Sequence, residues 1–159
     1  MRLVAALLLL LAGGTSAADI VTGRIVGVHD GDTVTLLDGS QIQHRIRLSQ
    51  IDAPEIGHGR GKPGQPFGQR SKQSLSDLVY DQPVHAECET RDKYGRQVCT
   101  VWVGTIDANL EQVRRGMAWV YRKYARDSSY YQAEEEAKGA KRGLWSDPGA
   151  LPPWEWRHR

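Results

Sequence analysis

Carboxylates and a guanidinium crowd two neighbouring runs, Asp30-Gly31-Asp32-Thr33-Val34 and Ile46-Arg47-Leu48-Ser49-Gln50-Ile51-Asp52-Ala53-Pro54-Glu55. Asp32 and Asp52 offer hard oxygen donors with no Cys nearby. His29 borders them, but a lone His beside a turn is ordinarily a surface or supporting group and receives no role. Such a pair suits Ca²⁺ or Mg²⁺ rather than zinc. Arg47 contributes a permanently charged planar fork suited to phosphate oxygens. Pro54 sets Glu55 at a fixed exit from its strand, where a carboxylate can act as a general base. Each short motif alone is a common turn or loop. Their order, with an Arg between them, gives them meaning.

The elements that must position these groups follow from local pattern. Arg24–His29 is a short strand. Thr33, Val34, Thr35, Leu36 and Leu37 favour a second, Asp38-Gly39-Ser40 is a hairpin turn signal, and Ile42, Ile46 and Leu48 share one face of a third, with Arg45 and Arg47 pointing the other way. Pairing across that turn puts Asp32 beside Asp52. Residues 57–68, rich in Gly, Pro and basic residues, form a loop that is either a flap over the site or plain surface. Gly68–Tyr80 is a helix with Leu75, Leu78 and Val79 on one face, ended by Pro83. Val84–Glu89 and Gln97–Val103 make a hairpin about Lys93-Tyr94-Gly95. A second helix starts at Asp107 or Asn109, carries Leu110 and Val113 and stops at Gly116. A third is capped by Asp127 or Ser128, carries Tyr131, Ala133, Ala137 and Ala140, and stops at Gly143. The expected class is α+β, mainly β: a five-stranded OB-fold barrel with three helices. The final run, Leu151–Arg157, is too Pro-rich for a helix, and its Trp154 and Trp156 are expected to dock on a surface.

The chain has 159 residues, enough for one domain with a real core. Met1-Arg2, the apolar run Leu3–Leu11 and the small residues Gly13–Ala18 have the form of a secretory signal cut after Ala17 or Ala18, the alternative being an uncleaved anchor. Residues 1–17 are therefore assigned to the signal, 18–147 to the domain and 148–159 to a Pro- and Trp-containing tail. The mature protein is expected to be exported, periplasmic or extracellular, free of the membrane and monomeric. A net charge of +2 only leans towards an acidic partner. The local distribution says more, because Arg45, Arg47, Arg60, Lys62, Arg70, Lys72, Arg91, Lys93 and Arg96 surround the motif segments. The two cysteines, Cys88 and Cys99, flank the Asp92–Gly95 turn symmetrically. A hairpin centred there sets them opposite each other, within disulfide reach. Two free thiols are the alternative.

The motifs Asp-Gly-Asp-Thr, Arg-Leu-x-x-Ile-Asp-Ala-Pro-Glu and Asp92-Lys93-Tyr94-Gly95-Arg96 together resemble the staphylococcal (micrococcal) nuclease, or thermonuclease, family over about Val21–Asp147. The resemblance implies a secreted, Ca²⁺-dependent endonuclease cutting DNA and RNA to 3′-phosphate products. It implies Asp32, Asp52 and the backbone carbonyl of Ala53 as metal ligands, with Ala standing where the family more often has Thr, and Asp30 as a supporting carboxylate. Glu55 becomes the base that activates water, and Arg47 and Arg96 the stabilisers of the transition state. Lys93 and Tyr94 are implied to contact a neighbouring phosphate. Tyr124 matches one base-stacking tyrosine of the family, while the other falls on Arg122, with Tyr121 a possible replacement. The contrasting expectation is a non-catalytic OB-fold nucleic-acid-binding module. Such a module has no use for Asp32, Asp52, Glu55, Arg47 and Arg96 together.

Overall fold

Alternating apolar and polar side chains build one continuous sheet. The computed structural model describes residues 18–57, 59, 61 and 63–159, so the leader assigned to 1–17 lies outside it, as do three residues of the Gly-rich loop. Strand β1 (Asp19–Val28) begins earlier than the pattern suggested, followed by β2 (Thr33–Asp38), β3 (Gln43–Leu48) and the short β4 (Ile51–Asp52). Helix α1 (Gly68–Val79) precedes β5 (Pro83–Arg91), β6 (Gln97–Val103) and β7 (Ile106–Asp107). The chain then runs through α2 (Ala108–Arg114), β8 (Trp119–Val120), α3 (Ser128–Gly139), a 3₁₀ turn (Gly143–Ser146) and α4 (Pro153–Trp156).

The sheet order is β3-β2-β1-β5-β6-β7, and a parallel pairing of β3 with β6 closes it into a five-stranded barrel. A register shift between Ile25 and Gly27 bends β1 so that it serves both β2 and β5. The barrel interior is filled by Ile25, Val34, Leu36, Ile46, Leu48, Ala86 and Val101. This is the expected mainly β OB-type barrel with three principal helices.

Departures from the expected pattern have local causes. Ile42 is exposed, because Asp38 Oδ1 accepts from both Ser40 and Ile42 and extends the turn to that residue. In α3 the buried aromatic is Tyr130, whose hydroxyl donates to Asp107, whereas Tyr131 is only partly covered and Ala140 is exposed. Glu134 is buried too, accepting from the Val120 amide and from Arg122 and Lys138. Pro83 opens β5 rather than closing a helix. The tail does make one helical turn, since Pro153 occupies the first helical position, where a missing N–H costs nothing.

Polar side chains lock the pieces that carry the site. Asn109, fully buried, accepts from Val101 N and donates to the carbonyls of Ser49 and Cys99. Gln112 donates to the carbonyls of Gly31 and Ser71. A Cβ at Gly31 would lie 1.8 Å from Ser71 Oγ and 2.7 Å from Ala53 Cβ, so only glycine lets the Asp30–Asp32 turn press against α1 and the strand leading to Glu55.

Candidate active site

Register places the first two carboxylates. Thr33 pairs with Arg47 across the β2–β3 ladder, so Asp32 sits at the edge of the barrel next to Arg47. After β3 the chain turns through Gln50, in the left-handed region at φ 63°, into β4, which pairs Asp52 with Trp119 of β8. Arg47 then spans the gap. Its Nη2 lies 3.2 Å from Asp32 Oδ2 and 3.0 Å from Asp52 Oδ1, while Nη1 donates to the carbonyls of Leu48 and Ile51 at 2.7 and 2.9 Å. Asp32 Oδ2 also accepts from Ala53 N at 2.7 Å, and Asp30 Oδ1 accepts from Asp32 N at 3.0 Å.

Burial sets the electrostatics. Asp32 and Asp52 are 5% and 2% exposed, which leaves their charges dependent on one another's partners rather than on water. Burial raises the Asp32 carboxyl to about 7 against the opposing pull of Arg47, with Asp30 adding to the rise. Burial raises Asp52 as well, opposed by hydrogen bonds from Arg157. For Arg47 burial works against the charge, and Asp32, Asp52 and Asp30 outweigh it, so its charged form is strengthened. The same contest at Arg157, between burial and the carboxylates of Asp52 and Glu55, also ends in favour of the charge.

Glu55 leaves the strand into a segment held at both main-chain atoms. Its amide donates to Gln65 Oε1 and its carbonyl accepts from Gln65 N, at 3.1 and 2.9 Å. Gly68 packs so close that a Cβ there would lie 2.5 Å from the Glu55 carbonyl oxygen. The Glu55 side chain meets Arg157, whose Nη1 is 2.6 Å from Oε1, and the same guanidinium reaches Asp52 Oδ2 at 2.8 Å.

The β5–β6 hairpin brings the second arginine. Asp92 Oδ1 accepts from the amides of Tyr94 and Arg96, and Oδ2 accepts from Arg96 Nε at 2.7 Å. Arg96 Nη1 donates to Thr33 Oγ1 at 3.3 Å, and that hydroxyl donates in turn to Asp32 Oδ1 at 3.1 Å. Cys88 and Cys99 pair directly in this hairpin and are joined by a disulfide. At its tip Tyr94 is 72% exposed, with Lys93 and Arg96 over its ring at 5.0 and 5.5 Å.

Tyr124 stands on a different patch, edge-on to Tyr121, with Lys123 over its ring. Gln50 ties this patch to the site, since its carbonyl accepts from Tyr121 N and its Oε1 accepts from the amides of Arg126 and Asp127. Arg122 is turned away to Glu134 and the Tyr131 ring. Among the described residues, then, Asp32, Asp52, Ala53 and Arg47 are bonded directly, with Glu55 joined to them through Arg157 and Arg96 through Thr33. Lys93 and Tyr94 stand at the tip of the hairpin that presents Arg96, and Tyr124 lies on the Gln50-linked segment. Arg157, Gln65, Gln50, Asn109 and Gln112 are structural partners that sequence spacing does not reveal.

Residues 45–147 match the family described as staphylococcal nuclease homologues. The chain belongs to the staphylococcal nuclease family. A Shigella flexneri protein named micrococcal nuclease is 38% identical over 168 residues, covering 99% of this chain and 91% of its own length. A Haemophilus influenzae protein named as an uncharacterized endonuclease is 41% identical over 138 residues, covering 87% of this chain and 74% of its own. Protein ParB of Escherichia coli is 38% identical over 168 residues, covering 99% of this chain and 90% of its own. The staphylococcal nuclease match spans Arg47, Asp52, Glu55 and Arg96, while the turn carrying Asp32 lies ahead of it and Arg157 beyond it.

Proposed function

We propose that the chain is an exported endonuclease that uses Ca²⁺ to hydrolyse phosphodiester bonds of DNA and RNA, leaving 3′-phosphate ends. The observation that carries this reading is convergence: Arg47 contacts Asp32 and Asp52, Arg157 links Asp52 to Glu55, and Thr33 links Arg96 to Asp32. The nuclease names of the relatives support it.

The donor chemistry fits a hard divalent ion. Asp32 and Asp52 are buried oxygen donors drawn to one point by a shared guanidinium, with Ala53 beside them to add a main-chain oxygen. When bound there, the ion neutralises phosphate charge and orients the scissile group. Glu55 takes a proton from water as the water oxygen attacks phosphorus. Arg47 and Arg96 donate to the non-bridging oxygens as their charge builds. The bond from phosphorus to the 5′ oxygen breaks, that oxygen takes up a proton, and the phosphate stays on the 3′ side. Lys93 and Tyr94, exposed at the hairpin tip, meet a neighbouring phosphate, and Tyr124 offers a face for base stacking. The leader pattern and the disulfide support an oxidising, exported setting, periplasmic or extracellular. No helix among the described residues is long and apolar enough to cross a membrane.

The deciding experiment incubates the mature protein with plasmid DNA and with RNA, in Ca²⁺, in Mg²⁺ and in excess chelator, and examines the ends. Cleavage with Ca²⁺, none in chelator, and 3′-phosphate termini are expected. Full activity in chelator overturns the metal reading. Binding without cutting under any metal favours the non-catalytic module.

A further inference from the structure

The last residues of the chain reach the centre of the site. Arg157 donates to Glu55 Oε1 at 2.6 Å and to both oxygens of Asp52, at 2.8 and 3.3 Å. Asp52 is thereby engaged at both oxygens by a cationic group, in the place where the proposed divalent ion needs them. One turn earlier, Trp154 lies flat on Tyr121, with centroids 5.5 Å apart and planes 4° from parallel. That is the geometry a nucleobase adopts on an aromatic side chain. The covered ring also abuts Tyr124, the exposed tyrosine of the same patch.

The tail holds on by few bonds. The described main-chain hydrogen bonds donated by residues 155–159 close within the tail, on Pro152, Pro153, Glu155 and Trp156. Its attachment to the barrel runs through side chains: Arg157, Trp154, the buried ring of Pro153, and Gln65 Nε2 donating to the Leu151 carbonyl at 2.5 Å. A cavity of about 150 Å³ lies beneath, lined by Gln65, Phe67, Trp119, Leu151 and Trp156. Freed from those side chains, a single four-residue turn has no stability of its own, so it opens without disturbing the barrel core.

We propose that residues 151–157 form a displaceable strap that occupies both halves of the site, Arg157 standing in for the divalent cation at Asp52 while pairing with the base Glu55, and Trp154 covering the nucleotide-stacking face of Tyr121. The inference rests on the cation reading above. Cation and strap compete for the same carboxylate oxygens, so each weakens the other by the same factor. A strap closed in about nine molecules of ten lowers apparent cation affinity about tenfold.

The test is calorimetric titration of Ca²⁺ into the full mature chain, Arg157→Ala and Trp154→Ala, with thermal melts confirming that each is folded. Both variants are expected to bind Ca²⁺ about tenfold more tightly. Arg157→Ala alone would also tighten binding merely by deleting a positive charge. Trp154→Ala removes no charge, so its gain reports release of the strap. In the unmutated chain, Ca²⁺ should speed amide exchange at residues 155–157. Equal, finite affinities in all three proteins, a gain confined to Arg157→Ala, or unchanged exchange overturns the strap alone. No Ca²⁺ binding by any of the three overturns the cation reading and the strap with it.

Discussion

The Arg47 guanidinium stands 3.0 Å from Asp52, and it is fixed there by the carbonyls at both ends of the turn that separates them, Leu48 and Ile51. The side chain is only 13% exposed. It neutralises two buried carboxylates, and under the proposed mechanism it also donates to the phosphate.

Substitution separates the two roles. Arg47→Ala leaves buried Asp32 without its cation while Asp52 keeps only Arg157, a loss expected to be about 3 kcal/mol in urea denaturation. Arg47→Lys keeps the charge but not the fork. It should remain folded while turnover on a labelled single strand falls about a hundredfold or more. Turnover within a few-fold of the unmutated protein would remove Arg47 from the reaction.

The disulfide supports the hairpin that carries Arg96. Closing so short a loop should stabilise the fold by up to about 3 kcal/mol on the chain-entropy account. Denaturant midpoints of the oxidised protein and of a Cys88→Ser/Cys99→Ser double variant measure it. Intact mass of the oxidised protein should be two hydrogens below the dithiol form. Alkylation of both residues without reductant would contradict the bridge.

Acid should loosen the same hairpin through Asp92. Burial alone would raise this carboxyl, but hydrogen bonds from the Arg96 side chain and from the Arg96 and Tyr94 amides outweigh it and hold the carboxyl below its ordinary value of 3.8. A depressed native value means the stabilisation is complete above the ordinary one and disappears as pH falls through the native one. The stability gap between the unmutated protein and Asp92→Asn should accordingly be constant from pH 7 to about 5 and shrink on further acidification. A gap that does not change between pH 5 and pH 2 would refute this role.

Sequence made the barrel legible where strand propensity was strong. Thr33–Leu37 and Gln97–Val103 are rich in β-branched and apolar residues, and Asp92–Gly95 announces its turn, so register carried Arg47, Arg96 and the cysteines to their places. The two-residue strands holding Asp52 and Trp119 have no pattern to read, being created by pairing between distant segments. Ile42 misled because a side chain, Asp38, rather than backbone spacing sets the length of the turn. Asn109 and Gln112 gave no signal, since a buried amide looks like any other until its partners are known. Arg157 is the hardest case. It lies 102 residues from Glu55, and nothing local marks it as a partner.

In the proposed mechanism Glu55 takes the proton from water, and Glu55→Ala tests that step on two scales. One is turnover on a labelled single strand with Ca²⁺. The other is the dissociation constant for a non-cleavable nucleoside 3′,5′-bisphosphate at saturating Ca²⁺, where the strap is displaced in both proteins. Glu55 and the phosphate are both negative, so affinity should rest on the cation, Arg47 and Lys93 and change little. Turnover should fall about 10²–10⁴-fold. Cleavage at the unmutated rate would remove Glu55 from the reaction.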